Sequence, residues 1–219
     1  MNRLLKTYLT STRAFRNAWG RLRLRNRSLS VISNDCWGGN MLKYHHLPFN
    51  TPFVGLLIMG PDYIRLLEDI ALLEQPLRFI PQEKSRYQDQ LQKEHRYGHP
   101  IALLGDSDIE IHFLHYPDEA TARAKWERRV GRINWDNAIV KFSDRDICDE
   151  DLIRRFEALP YRLKVCFTPR PMPQYPSVCY LPEFRRDDHV AICWNVSNRH
   201  WSFVSHANSL LPPKKSKEG

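Results

Sequence analysis

The sequence predicts an α/β fold: a three-layer sandwich around a mostly parallel β-sheet, with a basic amphipathic helix at the N-terminus. Three observations support this prediction. Short apolar runs alternate with segments of helical periodicity, glycine and proline mark several of their ends, and the composition is globular, with 42% hydrophobic and 26% charged residues. Alternation of strands and helices at this spacing is typical of parallel sheets covered by helices. The 219 residues suffice for one domain with appendages.

The first predicted elements follow one another from residue 29. The β-branched run Leu29–Ser33 predicts a strand, and a second apolar run spans Phe53–Met59. Pro61 suits the first turn of a helix, and apolar residues recur at helical spacing from there to Gln75. The charged stretch Gln82–Arg96 predicts a surface helix or a mobile loop.

Four more strands are predicted from residue 101 onward, at Ile101–Leu104, Asp108–His115, Ala138–Phe142 and Leu163–Phe167. A helix should follow Pro117, because its acidic residues come first and its basic residues last, which matches the helix macrodipole. Another helix is predicted near Asp149–Leu159, between the last two strands.

The net charge of +8 is concentrated at the ends of the chain. Residues 1–30 carry eight basic and no acidic side chains, whereas residues 31–211 carry 22 basic and 24 acidic ones. We therefore predict a basic arm at residues 1–28, a single α/β domain at 29–211 and a basic tail at 212–219. A nearly neutral body disfavours nucleic acid as a partner. No apolar stretch approaches the roughly 18–20 residues of a membrane-spanning helix.

The arm has one broad apolar side on a helical wheel, formed by Leu4, Leu5, Tyr8, Leu9, Phe15, Trp19 and Leu22. Arginines and a lysine lie mostly opposite, a pattern typical of a helix that lies on an anionic membrane surface. We predict such binding through residues 1–27. Two alternatives remain at this point, a mitochondrial presequence and a helix that packs its apolar side on the body.

The first candidate site is the turn after the first strand, Asn34, Asp35, Cys36, Trp37, Gly38 and Gly39. A cysteine just before a helix has a lowered pKa, so Cys36 could be a nucleophile. The two glycines would permit close approach of a ligand, and their N–H groups could face an oxyanion or phosphate. The alternative is a tight turn in which Asn34 and Asp35 cap the helix and Cys36 is buried.

The second candidate site is the strand Asp108–His115. Its alternation places Asp108, Glu110 and His112 on one face, where the carboxylates could orient the imidazole for general-base catalysis. His115 lies at the end of the strand, where a loop site would form. The alternative for each histidine is an ordinary position at the margin of the sheet.

The third candidate site is the run KFSDRD, which ends in Asp144, Arg145 and Asp146. Arg145 could bind an anionic substrate, and a carboxylate could hold a metal or a sugar hydroxyl. The alternative is an ion-pair cluster that caps the next helix. The common nucleotide-binding, zinc-protease and serine-hydrolase motifs are missing from the sequence. Five widely spaced cysteines also disfavour a disulfide framework or a zinc ribbon.

Several long motifs resemble the domain of unknown function 1919 family, namely SVISNDCWGG, HHLPFNTPFVGLLIMGPDYIRLLED, DIEIHFLHYPDEATARAKWERRVGRINWDNAIVKFSDRD and LPYRLKVCFT. The resemblance covers roughly residues 29–170. It implies a bacterial protein of capsule, exopolysaccharide or lipopolysaccharide biosynthesis, cytoplasmic and peripheral on the inner face of the inner membrane. It argues against the mitochondrial alternative for the arm.

The resemblance leaves three hypotheses for the function. The first is an acyltransferase, with an acyl-CoA donor and a sugar or lipid-linked glycan as acceptor. The second is a glycosyltransferase or phosphosugar transferase that uses a sugar nucleotide and a divalent metal, and the third is a non-catalytic assembly factor. The candidate catalytic residues are Cys36, Asp35, His112 and His115, and the candidate substrate-binding residues are Asn34, Trp37, Gly38, Gly39, Asp108, Asp144, Arg145 and Asp146.

Overall fold

The structure is a computed structural model that describes residues 18–212. The first 17 residues of the predicted arm and residues 213–219 of the predicted tail lie outside the described residues. Residues 18–23 are helical. Within residues 18–212, no helix combines the length and the apolar character needed to cross a bilayer.

Seven strands are present in the described chain. They are β1 (Ser30–Ser33), β2 (Leu77–Ile80), β3 (Ile101–Leu104), β4 (Glu110–His112), β5 (Ala138–Ser143), β6 (Lys164–Thr168) and β7 (Val178–Tyr180). The helices that follow residue 23 are α1 (Trp37–Tyr44), α2 (Gly60–Glu68), α3 (Gln88–Lys93), α4 (Glu119–Val130), α5 (Glu150–Ala158) and α6 (Phe203–Ser209). Short 3-10 turns include Ile70–Glu74, which follows α2, and Ser197–Arg199, which precedes α6.

Two sheets organise these strands. The larger sheet has the order β1-β5-β6-β7, and all its neighbouring pairs are parallel. The smaller sheet has the order β2-β3-β4 and is antiparallel. The segment at Leu57 and Ile58 joins the two regions, because Leu57 forms an isolated antiparallel bridge with His112 and Ile58 N–H donates to the Asn34 carbonyl at 2.9 Å. The predicted α/β fold is confirmed. The strand predicted at Asp108–His115 is shorter in the structure and ends at His112, because a turn follows in which Tyr116 N–H donates to the Phe113 carbonyl.

The parallel sheet is covered on both faces, so the fold has three layers. On one face, Val31, Ile139, Val165 and Phe167 pack with apolar residues of α1 and α6. On the other face, Ile32, Val140, Phe142 and Cys166 pack with α2, α5 and the antiparallel sheet. This separation follows from the period of two, which directs successive side chains of a strand to opposite faces.

Aspartates are the N-cap residues of two helices, α4 and α5, and the acid-first pattern predicted the first of these. Asp118 accepts a hydrogen bond from Thr121 N–H at 2.6 Å, at the start of α4. Asp149 accepts one from Leu152 N–H at 2.9 Å, at the start of α5. Each carboxylate satisfies a backbone donor that has no partner within the helix.

The last residues of the predicted arm are bonded to the body. Leu24 is buried in the core beside α1 and α6. The Asn26 side chain donates to Asn137 Oδ1 at 2.6 Å and to the Ala207 carbonyl at 2.8 Å. Trp19 and Leu22, by contrast, are exposed. The predicted boundary at residue 28 therefore falls within a segment that packs on the body.

Gly38 determines how closely α1 approaches β1. A Cβ at this position would lie 2.9 Å from Val31 Cγ1 and 3.0 Å from Ser33 Cβ. We expect Gly38→Ala to lower the free energy of unfolding by about 1–2 kcal/mol, since overpacking outweighs the better helix propensity of alanine. Denaturant titration measures this change. Gly131→Ala is the matched control, because nothing lies within 4 Å of its Cβ, and an equal loss in both variants would contradict the packing argument.

Candidate functional site

The candidate site lies at the carboxyl edge of the parallel sheet, where loops after neighbouring strands meet. Asn34, Asp35 and Cys36 follow β1, and Asp144, Arg145 and Asp146 follow β5, its neighbour. Ligands of open α/β sheets bind at such edges. The structure therefore brings the first and third predicted sites together.

A buried lysine that the sequence analysis did not single out organises this edge. Lys141 in β5 is fully buried, and its Nζ lies 2.7 Å from Asp35 Oδ2. The same ammonium group donates to Ser143 Oγ at 3.0 Å and to Asn34 Oδ1 at 3.3 Å. Its three donors are therefore satisfied. One signal was present in the sequence, a charged residue inside an otherwise apolar predicted strand.

Asp35 is held as a carboxylate. Burial raises its pKa, but the adjacent Lys141 ammonium outweighs burial, and the net result is a pKa below the usual value. Its Oδ1 accepts hydrogen bonds from Trp37 N–H at 2.9 Å and from Ser33 Oγ at 3.0 Å. Asp35 therefore joins β1, the start of α1 and β5.

The prediction that the pKa of Cys36 is lowered is wrong. Burial, followed by the neighbouring Asp35 carboxylate, raises the pKa of its thiol to about 11. The Sγ atom lies 3.9 Å from the Leu56 carbonyl oxygen. The turn agrees with the alternative prediction in part. Asp35 accepts the Trp37 N–H at the start of α1, whereas Asn34 Oδ1 accepts from Lys141 and Cys36 is half-buried.

Trp37, Gly38 and Gly39 serve packing contacts in this structure. Trp37 is buried, and its indole N–H donates to Ser197 Oγ at 2.9 Å. A Cβ at Gly39 would lie 3.3 Å from Val54 Cγ1, and Gly38 is packed against β1 as described above. The space that the glycines provide is therefore filled by protein atoms.

Asp144 lies in an open cleft of about 690 Å³. The cleft is lined by Gln90, Lys93, Glu94, His95, Asp144, Arg145, Asp146, Ile147, Cys148, Asp188 and His189. Asp144 Oδ1 accepts a hydrogen bond from Val190 N–H at 2.8 Å. Burial nevertheless raises the pKa of Asp144 to about 6, with the Val190 hydrogen bond and nearby cationic groups opposing the shift. This carboxyl group can therefore exchange a proton near neutral pH.

Arg145 and Asp146 belong to a network of two arginines and two carboxylates. Arg145 Nε lies 2.8 Å from the buried Asp146 Oδ2, and Arg96 Nη1 lies 3.4 Å from Asp146 Oδ1. Glu94 contacts both arginines, at 2.5 Å for Arg96 and 3.6 Å for Arg145. The ion-pair alternative for the DRD run is therefore present, and Asp149, three residues further on, caps the following helix.

The backbone after Arg145 is strained. Asp146 and Ile147 have φ angles of 60° and 64°, which is the left-handed region. This region is rare for L-residues, and it is least favourable for β-branched side chains. The Asp146 carbonyl accepts a hydrogen bond from Gly60 N–H at 2.8 Å, so α2 helps to hold this conformation.

His112 lies in the antiparallel sheet and does not line the cleft. It is fully buried, and burial lowers the pKa of its imidazole to about 3. Its Nδ1 lies 3.3 Å from His99 Nε2, and its Nε2 lies 3.4 Å from Glu110 Oε2. The predicted carboxylate beside the imidazole is thus Glu110. The His112 imidazole is neutral and fully buried, so it cannot take part in the acid–base chemistry that is available to Asp144.

Asp108 and His115 occupy other surfaces. Asp108 is paired with Arg65 at 2.5 Å and also contacts Arg86. The exposed His115 donates its backbone N–H to the Gly55 carbonyl at 3.0 Å. Neither residue lines the cleft. Across residues 18–212, no group of three histidine, cysteine or carboxylate side chains has the arrangement of a metal site.

Comparison with known proteins finds two similarities. Residues 8–209 match the family described as Domain of unknown function (DUF1919). An uncharacterized protein of Haemophilus influenzae is 37% identical over 186 residues, which cover 84% of this chain and 83% of that protein.

Removal of Lys141 should expose the cost of an unpaired buried carboxylate. We expect Lys141→Met to lower the free energy of unfolding at pH 7 by about 3 kcal/mol, because Asp35 then has no cationic partner. The folded pKa of Asp35 is depressed, so its stabilising contribution is present above its unfolded pKa and is lost as pH falls through the folded value. Denaturant titrations between pH 3 and pH 7 measure the effect.

The double variant Asp35→Asn/Lys141→Met is the control for the charge. It should be more stable at pH 7 than Lys141→Met, since neither charge of this pair remains in the interior. Equal stability of the two variants at all pH values would contradict the assignment of an ion pair.

Proposed function

The chain belongs to the DUF1919 family, and we propose that it is a transferase of bacterial surface-polysaccharide biosynthesis that modifies a sugar hydroxyl. An acyl group from an acyl-CoA is the first candidate for the transferred group. The observation that carries this proposal is Asp144, whose pKa of about 6 makes it a suitable general base inside an open cleft.

The composition of the cleft supports a sugar acceptor. Its lining includes the carboxylates of Glu94, Asp144 and Asp188 together with the Arg145 guanidinium. Carboxylates accept hydrogen bonds from hydroxyl groups, and arginine donates to hydroxyl oxygens. A polyol can therefore satisfy both kinds of group at once.

The proposed step is direct transfer. Asp144 accepts the proton of the sugar hydroxyl as that oxygen attacks the thioester carbonyl, a C–O bond forms, and the C–S bond breaks. The leaving thiolate then takes up the proton. A covalent intermediate on Cys36 is less favoured, since a thiol with a pKa of about 11 is protonated at neutral pH.

A glycosyl or phosphosugar donor is the second candidate, because the same base would activate the same hydroxyl for attack on a sugar carbon or phosphorus. The metal expected for a sugar nucleotide has less support. Asp108 is paired with Arg65 and Arg86, and Asp146 is paired with Arg96 and Arg145. Arginine pairing competes with metal coordination by these carboxylates.

We also propose that the protein acts on the cytoplasmic face of the inner membrane through residues 1–27. The exposed Trp19 and Leu22 support this part of the proposal, as do three exposed arginines at positions 23, 25 and 27. Aromatic and aliphatic side chains enter a membrane interface, and arginines bind its anionic headgroups.

The test is the surface polysaccharide of a deletion strain that expresses single variants. Asp144→Asn keeps the size and the polarity of the side chain but removes the base, so we expect the acyl content of the polymer to fall at least about 100-fold. Cys36→Ser should retain most of the acyl content. Mass analysis and ester quantification of the purified polymer measure both.

Each of the other possible results supports a different function or mechanism. Loss of acyl groups in Cys36→Ser but not in Asp144→Asn would support covalent catalysis by the thiol and contradict the proposed base. A missing sugar in Asp144→Asn would favour the glycosyl alternative. A normal polymer in both variants, with loss only when residues 1–17 are deleted, would indicate a non-catalytic assembly factor.

A further inference from the structure

Basic side chains from three parts of the chain meet at the amino edge of the parallel sheet, which is the edge where its strands begin. Because β1, β5 and β6 are parallel, the residues that precede each of them lie at this same edge. Six exposed arginines lie in the preceding segments, residues 23–29, 127–137 and 157–163. They are Arg23, Arg25, Arg27, Arg128, Arg132 and Arg162, which we call the amino-edge arginines.

Hydrogen bonds join these three segments into one surface. Asn137, directly before β5, donates its side-chain N–H to Asn26 Oδ1 at 3.1 Å. Arg25 N–H donates to Asn208 Oδ1 in α6 at 2.8 Å, and Arg162 Nη1 donates to the carbonyl directly after α6 at 3.1 Å. The segments that carry the amino-edge arginines are therefore fixed to the body of the protein.

The amino edge carries an excess of positive charge. Within residues 18–212, none of the amino-edge arginines forms an ion pair with a carboxylate. The exposed acidic residues of the same three segments are Glu127 and Asp136, and Glu127 lies 3.8 Å from Arg123. The carboxylates of the cleft lie at the opposite edge, where β5 ends. The amino edge therefore favours an anionic partner.

We infer that the amino edge is a docking surface of the body for an anionic phospholipid bilayer, and that it holds the cleft on the side of the protein that faces away from the bilayer. This inference rests on the proposed function, because the arm proposed to bind the membrane ends at the same edge. The exposed Trp19 and Leu22 favour a bilayer over a nucleic acid, since they can enter the interface while the arginines bind headgroups.

The height of the sheet determines which acceptor can reach the cleft. The six residues of β5 separate its two ends by about 20 Å. The headgroup layer of one leaflet is only about 5–8 Å thick. A sugar that a short headgroup fixes to the bilayer therefore does not reach Asp144. With this orientation the acceptor enters the cleft from the aqueous side, as a water-soluble molecule.

Co-sedimentation of the full chain with vesicles tests the docking surface. The protein should bind vesicles of phosphatidylcholine and phosphatidylglycerol but not vesicles of phosphatidylcholine alone. Arg128→Gln/Arg132→Gln should weaken this binding at least about tenfold, because each arginine near an anionic surface contributes to the affinity. Arg185→Gln/Arg186→Gln is the matched control. It removes the same charge from exposed positions after β7, at the carboxyl edge, and should bind as the unmodified protein does.

Amide NMR of the protein on bicelles tests the orientation. Bicelles that contain phosphatidylglycerol and a nitroxide-labelled lipid should broaden the amide signals of residues 25–28 and of Arg132, because the nitroxide acts only at short distance. The amide signals of residues 187–189, beside the cleft, should stay sharp. Broadening at residues 187–189 would place the cleft against the bilayer, and it would overturn both the orientation and the water-soluble acceptor.

Two vesicle results would overturn the docking surface. One is unchanged binding by Arg128→Gln/Arg132→Gln. The other is an equal loss of binding by the control Arg185→Gln/Arg186→Gln, which would indicate an effect of net charge alone. If the unmodified protein binds no anionic vesicles, both the inference and the proposed membrane location are wrong.

Trp19→Ser/Leu22→Ser separates the inference from the proposed role of the arm. Weaker binding in this variant together with unchanged binding by Arg128→Gln/Arg132→Gln would keep the arm as the membrane contact and overturn the docking surface. The reverse result would keep the docking surface and contradict the role of the arm. Failure of the proposed base would appear separately, as a normal polymer in Asp144→Asn.

Discussion

Lys141 enters the protein interior from β5, and a fully buried ammonium group requires compensation from its surroundings. Asp35 supplies the opposite charge, and Asn34 and Ser143 supply the remaining acceptors. Because Asp35 also accepts the Trp37 N–H at the start of α1, this one group fixes the turn after β1 against the neighbouring strand. The loop that carries Asp144 begins directly after Ser143, so the candidate base is positioned by the same buried pair.

A second group of charges lines the cleft beside Asp144. Asp146 is held by Arg145 and Arg96, and Arg96 comes from the segment after α3. The strained backbone at Asp146 and Ile147 persists within this network and is bonded to the start of α2. Strain at a sheet edge that also carries a titratable carboxyl group is consistent with a preorganised site.

Local sequence patterns predicted β1, β5 and β6 of the parallel sheet and the helices α2, α4 and α5. The antiparallel pairing of β2, β3 and β4 was not predicted, because pairing depends on tertiary contacts. The pKa of Cys36 could not be predicted either. The direction of its pKa shift depends on burial and on the Asp35 charge, which outweigh the lowering expected at the start of a helix. The sequence contained Lys141 as an isolated charge in an apolar strand, but its partner Asp35 is 106 positions away.

Asp144 connects the fold to the proposed chemistry, because burial at the sheet edge changes an ordinary carboxyl group into one that titrates near neutral pH. The most direct measurement is a ¹³C NMR titration of the aspartate carboxyl carbons, with Asp144→Asn used to assign the Asp144 signal. We expect a midpoint near pH 6 for Asp144. A midpoint close to 4, the usual value for aspartate, would contradict its assignment as the base.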